Sequence, residues 1–296
     1  MERKIDLHIH TNKSDGVLTP FEVIDEAEKN GVSVISIADH DTIDAYSNEL
    51  FEYAKDRGVK IIPAVEISTK IDKCGIHVLG YNFDLNNDVL IEKLKKLRNA
   101  RHDYLYNVAD KLSELGYVVN CSDLDKIAAV TKAHISLDVI SNELNKGILL
   151  KNFGHIPGKG EFIETVMNEG CPAYVKKETI NPVEASQLIK MSGGKVVLAH
   201  PVAYKYEDNL TEEDILNLVK DMEIDAIEGN YIYVDKNDNK IDECVIWRNF
   251  AKKNNFICTV GSDFHSNDGI RPVIGFGDNV DLSSGDIDNI LDYLLN

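Results

Sequence analysis

Short apolar runs alternate with amphipathic stretches through the first 85 residues. Lys4–His10 reads as a strand, Val32–Ala38 as a short buried strand, and Val59–Ser68 and Ile76–Phe83 as two more. Between the first two, Thr19-Pro20-Phe21-Glu22 is a capping box with proline at the first helical position, so a helix is predicted to run to Asn30 and stop at Gly31. Thr42–Arg57 reads as a second helix, ended by Gly58. Short strands alternating with helices predict parallel pairing in an α/β fold.

The middle of the chain changes period. Val89–Leu115 is one long helical pattern with Leu94, Leu97, Leu105, Val108, Leu112 and Leu115 on one stripe, and further helical segments follow to about Gly170 without a buried strand. Alternation then resumes. Asn181-Pro182-x-Glu184 opens a helix that Gly193-Gly194 closes. Lys195–His200 is a strand, Thr211–Met222 a helix, Ala226–Tyr231 a strand, Ile241–Asn254 a helix, Phe256–His265 a strand and Ser284–Leu295 a closing helix. About seven strands with helices between them fit a closed or nearly closed barrel better than an open sheet. The expected organisation is a discontinuous barrel, residues 1–87 and 171–296, with a helical insertion over residues 88–170.

Length and composition agree with this. The chain has 296 residues, ordinary for an α/β barrel, and is 43% hydrophobic, enough for a substantial core. Its formal charge of −18 argues against a broad basic surface for long nucleic acid or anionic membrane. That acidity is unevenly spread: residues 88–170 carry 11 Lys/Arg and 12 Asp/Glu, the remainder 21 and 38. No apolar run approaches the ~20 residues of a membrane span, and no signal peptide precedes the first strand. The five scattered cysteines form no CxxC pair, which suggests reduced thiols. A cytoplasmic monomer without membrane attachment is expected.

The nine histidines change the picture because of where they stand. His8 and His10 are two apart on the first strand, so both side chains point the same way. Asp263 and His265 repeat that spacing on the last. Asp39-His40-Asp41 ends the second strand and Glu66 the third, Asp15 lies in the Ser14-Asp15-Gly16 loop, His77 sits in the fourth strand, and His200 follows the next. In a barrel the C-terminal strand ends form the active face. Any one of these residues alone could be a cap, a turn or a salt-bridge partner. Together they bring imidazoles and carboxylates, without thiolates, from almost every strand, which suits Zn²⁺, Mn²⁺, Fe²⁺ or Mg²⁺. Nine ligands exceed what one ion uses, so two or three divalent metals are expected, with Glu66 as a bridge and Mn²⁺ preferred. Asp39 and Asp41 are candidates to orient His40, and Asp39 equally to cap the next helix. His102 and His155 read as surface residues.

The motifs Asp6-Leu7-His8-Ile9-His10-Thr11, Ser14-Asp15-Gly16, Ala38-Asp39-His40-Asp41-Thr42, Val65-Glu66-Ile67-Ser68, His77-Val78-Leu79-Gly80-Tyr81, Leu198-Ala199-His200-Pro201 and Gly261-Ser262-Asp263-Phe264-His265 resemble those of the polymerase and histidinol-phosphatase (PHP) superfamily. The resemblance implies a distorted (β/α)₇ TIM-like barrel, a trinuclear metal site and phosphoesterase activity through a metal-activated hydroxide, with His8, His10, Glu66 and Asp263 in the catalytic role. By it, His8, His10, Glu66 and Asp263 would hold one metal, Glu66, His77 and His200 a second, and Asp15, His40 and His265 a third.

Arg98 and Arg101 on the long helix, then Ala133-His134-Ile135, then Pro172-Ala173-Tyr174, resemble the TrpH-like branch, whose members are nucleoside 3′,5′-bisphosphate phosphatases or, for some, 5′→3′ exoribonucleases on short RNA. The substrate expected is therefore a small phosphorylated nucleotide or a short oligonucleotide, with Arg98, Arg101, Lys132 and His134 as its contacts. Arg101 falls where the apolar stripe expects a core residue, so it is either paired within the insert or aimed into a polar cavity. Lys132-Ala133-His134 stands where the family often has Arg-Pro-His; lysine keeps the charge but loses the bidentate fork. The competing readings are a histidinol-phosphate-type phosphatase and, from a different class, a noncatalytic metal-binding module accessory to a polymerase.

Overall fold

The computed structural model describes residues 3–72, 74–125, 127, 130–176, 179–235, 237–270, 272–275 and 282–296, except for the side chain of Arg101. It divides into two compact units, Met1–Leu94 with Thr179–Asn296, and Lys95–Glu178.

In the first unit, β1 (Lys4–Ile9) pairs in parallel with β2 (Val32–Ile37), which pairs with β3 (Lys60–Ile61). A second sheet runs in the order β10 (Ile257–Val260), β7 (Ala226–Asn230), β6 (Lys195–Leu198), β5 (Cys74–Tyr81), β4 (Ala64–Ile71). The hairpin of β8 (Ile232–Val234) and β9 (Lys240–Asp242) is separate. Pro63 divides the single strand expected over Val59–Ser68 into β3 and β4, because proline donates no ladder hydrogen bond.

The expectation of parallel pairing holds only in part. β5 is antiparallel to both β4 and β6, so the sheet is mixed. The expected closed sheet does not form among the described residues. Single bridges instead link Ile9 of β1 to Phe264, beyond the end of β10, and His40, beyond the end of β2, to Glu66 of β4.

The helices of this unit are α1 (Pro20–Lys29), α2 (Asn48–Asp56), the start of α3 (Asp88–Glu114), and, after the inserted unit, α8 (Pro182–Met191), α9 (Pro201–Glu207), α10 (Glu212–Asp221), α11 (Cys244–Asn254) and α12 (Ser284–Leu295). The capping boxes read from sequence form at Thr19/Glu22 and Asn181/Glu184. α2 begins six residues later than Thr42, because Ser47 takes the cap and accepts from Leu50 N–H. One core gathers Leu7, Val34, Leu79, Val197 and Val260 from both sheets with Ile290 and Leu294 of α12. Another packs Val23, Ile24 and Leu50 of α1 and α2 on Ile35 and Ile37.

The second unit takes the rest of α3 and the short helices α4 (Cys121–Leu124), α5 (Lys132–Ser141), α6 (Lys146–Phe153) and α7 (Lys159–Phe162). Leu105, Val108 and Leu112 of the predicted stripe meet Ile135, Val139, Leu149 and Phe162 in its own core. Leu115 lies one residue beyond the end of α3 and is 36% exposed, so the buried stripe ends at Leu112. No helix among the described residues is long and apolar enough to cross a membrane.

Candidate metal centre

Glu66, 1% exposed on β4, is the hub of the site. Its Oε1 lies 2.9 Å from His77 Nδ1 and 3.0 Å from His200 Nε2. Its Oε2 lies 3.2 Å from His10 Nε2, 3.2 Å from His40 Nδ1 and 3.3 Å from His8 Nε2. One carboxylate is thus faced by five imidazoles from four segments of the chain. The alternation of β1 accounts for two of them: His8 and His10 share a face, are fully buried, and stand Nε2 to Nε2 at 3.1 Å.

Asp263 and Asp15 extend the cluster. Asp263 Oδ1 is 3.1 Å from His10 Nε2 and 3.5 Å from His8 Nε2. Asp15 reaches His265 Nε2 at 3.3 Å, His10 Nδ1 at 3.4 Å and His40 Nε2 at 3.6 Å. Asp263 does not sit on the last strand as expected. β10 ends at Val260, and Asp263 has a left-handed φ of 51°. His200 likewise leaves β6 with φ 22°. Backbone in this region is held only where neighbours fix it.

Ligand atoms converge within 4.8 Å in three groups: His8, His10, Glu66 and Asp263; His10, Asp15, His40 and His265; and His40, Glu66 and His77. The structure therefore brings all nine candidate ligands, Glu66 included, into one cluster. His10, His40 and Glu66 each stand in two groups, while His200 meets Glu66 outside them.

The donor set fits divalent cations. It is made of imidazole nitrogens and carboxylate oxygens, and two Nε2 atoms at 3.1 Å cannot both present protons to each other. The electrostatics point the same way. Burial alone would raise the Glu66 pKa, but His77, His40 and His8 hold it well below the carboxylate range. Burial likewise works against Asp263, which His265 and His8 keep well below that range. Burial opposes a charge on His10, yet the bonds to Asp263 and Glu66 push its pKa up to about 10. His40 goes the other way, since burial outweighs the pull of Glu66 and Asp15 and holds it well below its ordinary value.

Several supporting residues were not identified from sequence. Asp6, fully buried, accepts the N–H of Ser262 at 3.0 Å and that of Gly275 at 2.7 Å, which anchors the segment leading to Asp263. Glu228, a lone acid in the apolar run of β7, faces His8 Nδ1. Tyr204 OH accepts the N–H of His77 at 2.8 Å, and Tyr231 OH donates to Asp263 Oδ2 at 3.2 Å. Asp39 is placed differently from either expectation: it accepts from Thr11 and Ser14 and so braces the loop that carries Asp15. Asp41 Oδ1 accepts the N–H of Ser68 at 2.9 Å.

A cavity of about 420 Å³ opens on the cluster, with His40, Glu66, His77, His200 and Asp263 in its lining and Tyr204, Tyr231 and Tyr233 along it. That volume is in the range of small-molecule sites.

The expected substrate residues lie in the second unit. Arg98 borders a separate hollow with His102 and Asp125. Lys132 donates to Asn168 Oδ1 at 2.9 Å, and His134 Nδ1 closes the α5 capping box with Thr131. Arg101 is in α3, but its side chain lies outside the described residues. His102 and His155 are more than half exposed and pair with Asp125 and Glu161.

The PHP domain family matches residues 6–269. A 5′-3′ exoribonuclease from Haemophilus influenzae is 32% identical over 95% of this chain and 96% of its own length. A 3′,5′-nucleoside bisphosphate phosphatase from Chromobacterium violaceum is 26% identical over 88% of this chain and 87% of its own. Among solved structures, an amidohydrolase from Chromobacterium violaceum with bound sulfate and no metal superposes with a TM-score of 0.68 at 25% identity, covering 95% of this chain and 92% of that one.

Proposed function

The chain belongs to the PHP domain family, and from that membership we propose that this metal-dependent hydrolase cleaves a phosphate monoester of a small nucleotide, specifically the 3′-phosphate of nucleoside 3′,5′-bisphosphates. The observation that carries the reading is the five-imidazole ring around the buried Glu66 at the base of a cavity sized for one nucleotide. On this reading the two sheets correspond to the distorted (β/α)₇ barrel of the family.

His8, His10, Glu66 and Asp263 would hold one divalent ion, and His40, His77, His200, Asp15 and His265 would complete a site for two or three, with Mn²⁺ the preferred ion. Bound there, such ions supply Lewis acidity and bring the pKa of water toward neutrality. Glu66 presents its two oxygens to different imidazoles, which suits it to be shared between neighbouring ions. Tyr231 and Tyr233 offer ring surface to a nucleoside along the cavity. Ser262, also in the lining, directs its hydroxyl to the His8 carbonyl at 3.4 Å, which favours direct hydrolysis over a covalent phosphoenzyme. Arg98, Arg101, Lys132 and His134 are the proposed substrate contacts, and their alanine variants should raise KM while leaving metal content unchanged.

The test is phosphate release from adenosine 3′,5′-bisphosphate by Mn²⁺-loaded protein. Release is expected, with its loss in the His8→Ala, Asp263→Ala double variant. Activity that survives that double variant would sink the site. A second reading, 5′-3′ exoribonuclease, is favoured by the 32% identity to the Haemophilus influenzae protein. Product lengths from a 5′-phosphorylated oligoribonucleotide decide between them, since stepwise mononucleotide release marks the exonuclease.

A further inference from the structure

Glu228 is fully buried on β7, where the strand is otherwise apolar or small at Ala226, Ile227 and Gly229. A carboxylate in such a place is costly unless it is well paired. Both of its oxygens lie 3.1 Å from His8 Nδ1, and Oε2 also accepts the backbone N–H of His200 at 3.1 Å. An ionised carboxylate only accepts, so the nitrogen facing it must carry the proton. His8 Nε2 is then the ring atom left to face His10, Glu66 and Asp263. The contact is tightly moulded: a Cβ at Gly261 would sit 2.0 Å from Glu228 Oε1 and 2.2 Å from His8 Cβ.

We propose that Glu228 is a positioning residue for the metal centre, fixing His8 in the tautomer that ligates through Nε2 and holding the His200 backbone so that its ring meets Glu66. The inference rests on the metal-dependent reading above. One residue thereby sets two of the imidazoles around Glu66, and its hold on His200 keeps that residue at φ 22°. Carboxylates behind metal-bound histidines fix ring orientation and raise ligand basicity in this way, and their loss typically weakens metal binding by about 10- to 100-fold.

The test uses Zn²⁺ as a diamagnetic probe on the full chain. In wild-type protein, ¹⁵N NMR of Zn²⁺-loaded His8 should show a protonated Nδ1 and a metal-bound Nε2; a metal-bound or unprotonated Nδ1 overturns the proposal without any variant. In Glu228→Gln the amide oxygen is expected to stay with His200 N–H, so the amide N–H₂ faces His8 Nδ1 and drives the proton to Nε2. Zn²⁺ affinity should fall by about 10- to 100-fold with far-UV circular dichroism unchanged. A merely structural Glu228 would lower stability without reversing the tautomer, so unchanged His8 shifts and affinity in Glu228→Gln overturn the proposal. Failure of wild-type protein to take up Zn²⁺ or Mn²⁺ would instead overturn the metal-dependent reading itself.

Discussion

Asp39 holds Thr11 twice, accepting its backbone N–H at 2.7 Å and its hydroxyl at 2.6 Å. It also accepts from Ser14 Oγ, and the carboxylate is 1% exposed. These bonds pin the loop from residue 11 to residue 16, and with it Asp15. Asp39→Ala would leave the Thr11 donors and Ser14 buried without their acceptor. A loss of about 3 kcal/mol is expected, or roughly 5–10 °C in Tm. Metal uptake by the group of Asp15, His40 and His265 should weaken in parallel. Thermal melts and metal analysis check both, and an unchanged Tm with full metal content would show that the loop does not depend on Asp39.

The imidazoles predict opposite pH trends for metal-free and metal-loaded protein. In the metal-free fold, His10 has its pKa raised from 6.5 to about 10. The stability it contributes is present below 6.5 and fades as the pH rises through its folded value. His40 is lowered well below 6.5, so its contribution is lost as the pH falls below 6.5. These groups together give metal-free protein its greatest stability near pH 6.5, declining toward pH 9. Metal ions compete with the same protons, so loaded protein should gain stability over that range. Melts of chelator-stripped and Mn²⁺-loaded protein from pH 6 to 9 test this. Parallel curves for the two forms would rule it out.

Much of the site is legible in the chain because strand alternation is a short-range fact: His8 and His10 at a spacing of two need nothing else to share a face. Glu66, expected to end its strand, is instead the third residue of β4, which runs on to Ile71. Strand direction is harder to read, because alternation marks a strand without giving its sense. A signal was nevertheless there: the residues between Ser68 and Ile76 are too few for a crossover helix, and such a short link forces the antiparallel β4–β5 hairpin. Glu228 went unnoticed because its role depends on His8, 220 residues away in sequence. Asp263 joins the cluster from a local structure other than the strand expected: the chain has already left β10, and a positive φ rather than strand alternation aims its side chain.

Glycine 261 offers a steric test of the same region. An added Cβ would meet Glu228 Oε1 at 2.0 Å and His8 Cβ at 2.2 Å, and neither can retreat easily. Glu228 is held at both oxygens by His8 and at Oε2 by His200 N–H, while the His8 Cβ is carried on β1, which pairs in parallel with β2. Gly261→Ala should therefore displace His8 from Glu66, costing several kcal/mol by overpacking and abolishing metal-dependent phosphatase activity. Gly147 is the natural contrast, as it lies within α6 with nothing within 4 Å of its added Cβ. Gly147→Ala should stabilise by about 0.5–1 kcal/mol through helix propensity alone and leave activity unchanged. Thermal melts and phosphate release on the pair separate crowding at the centre from a general intolerance of alanine. A Gly261→Ala protein that melts and turns over like wild type would mean that the packing of Glu228 against His8 is looser than these contacts require.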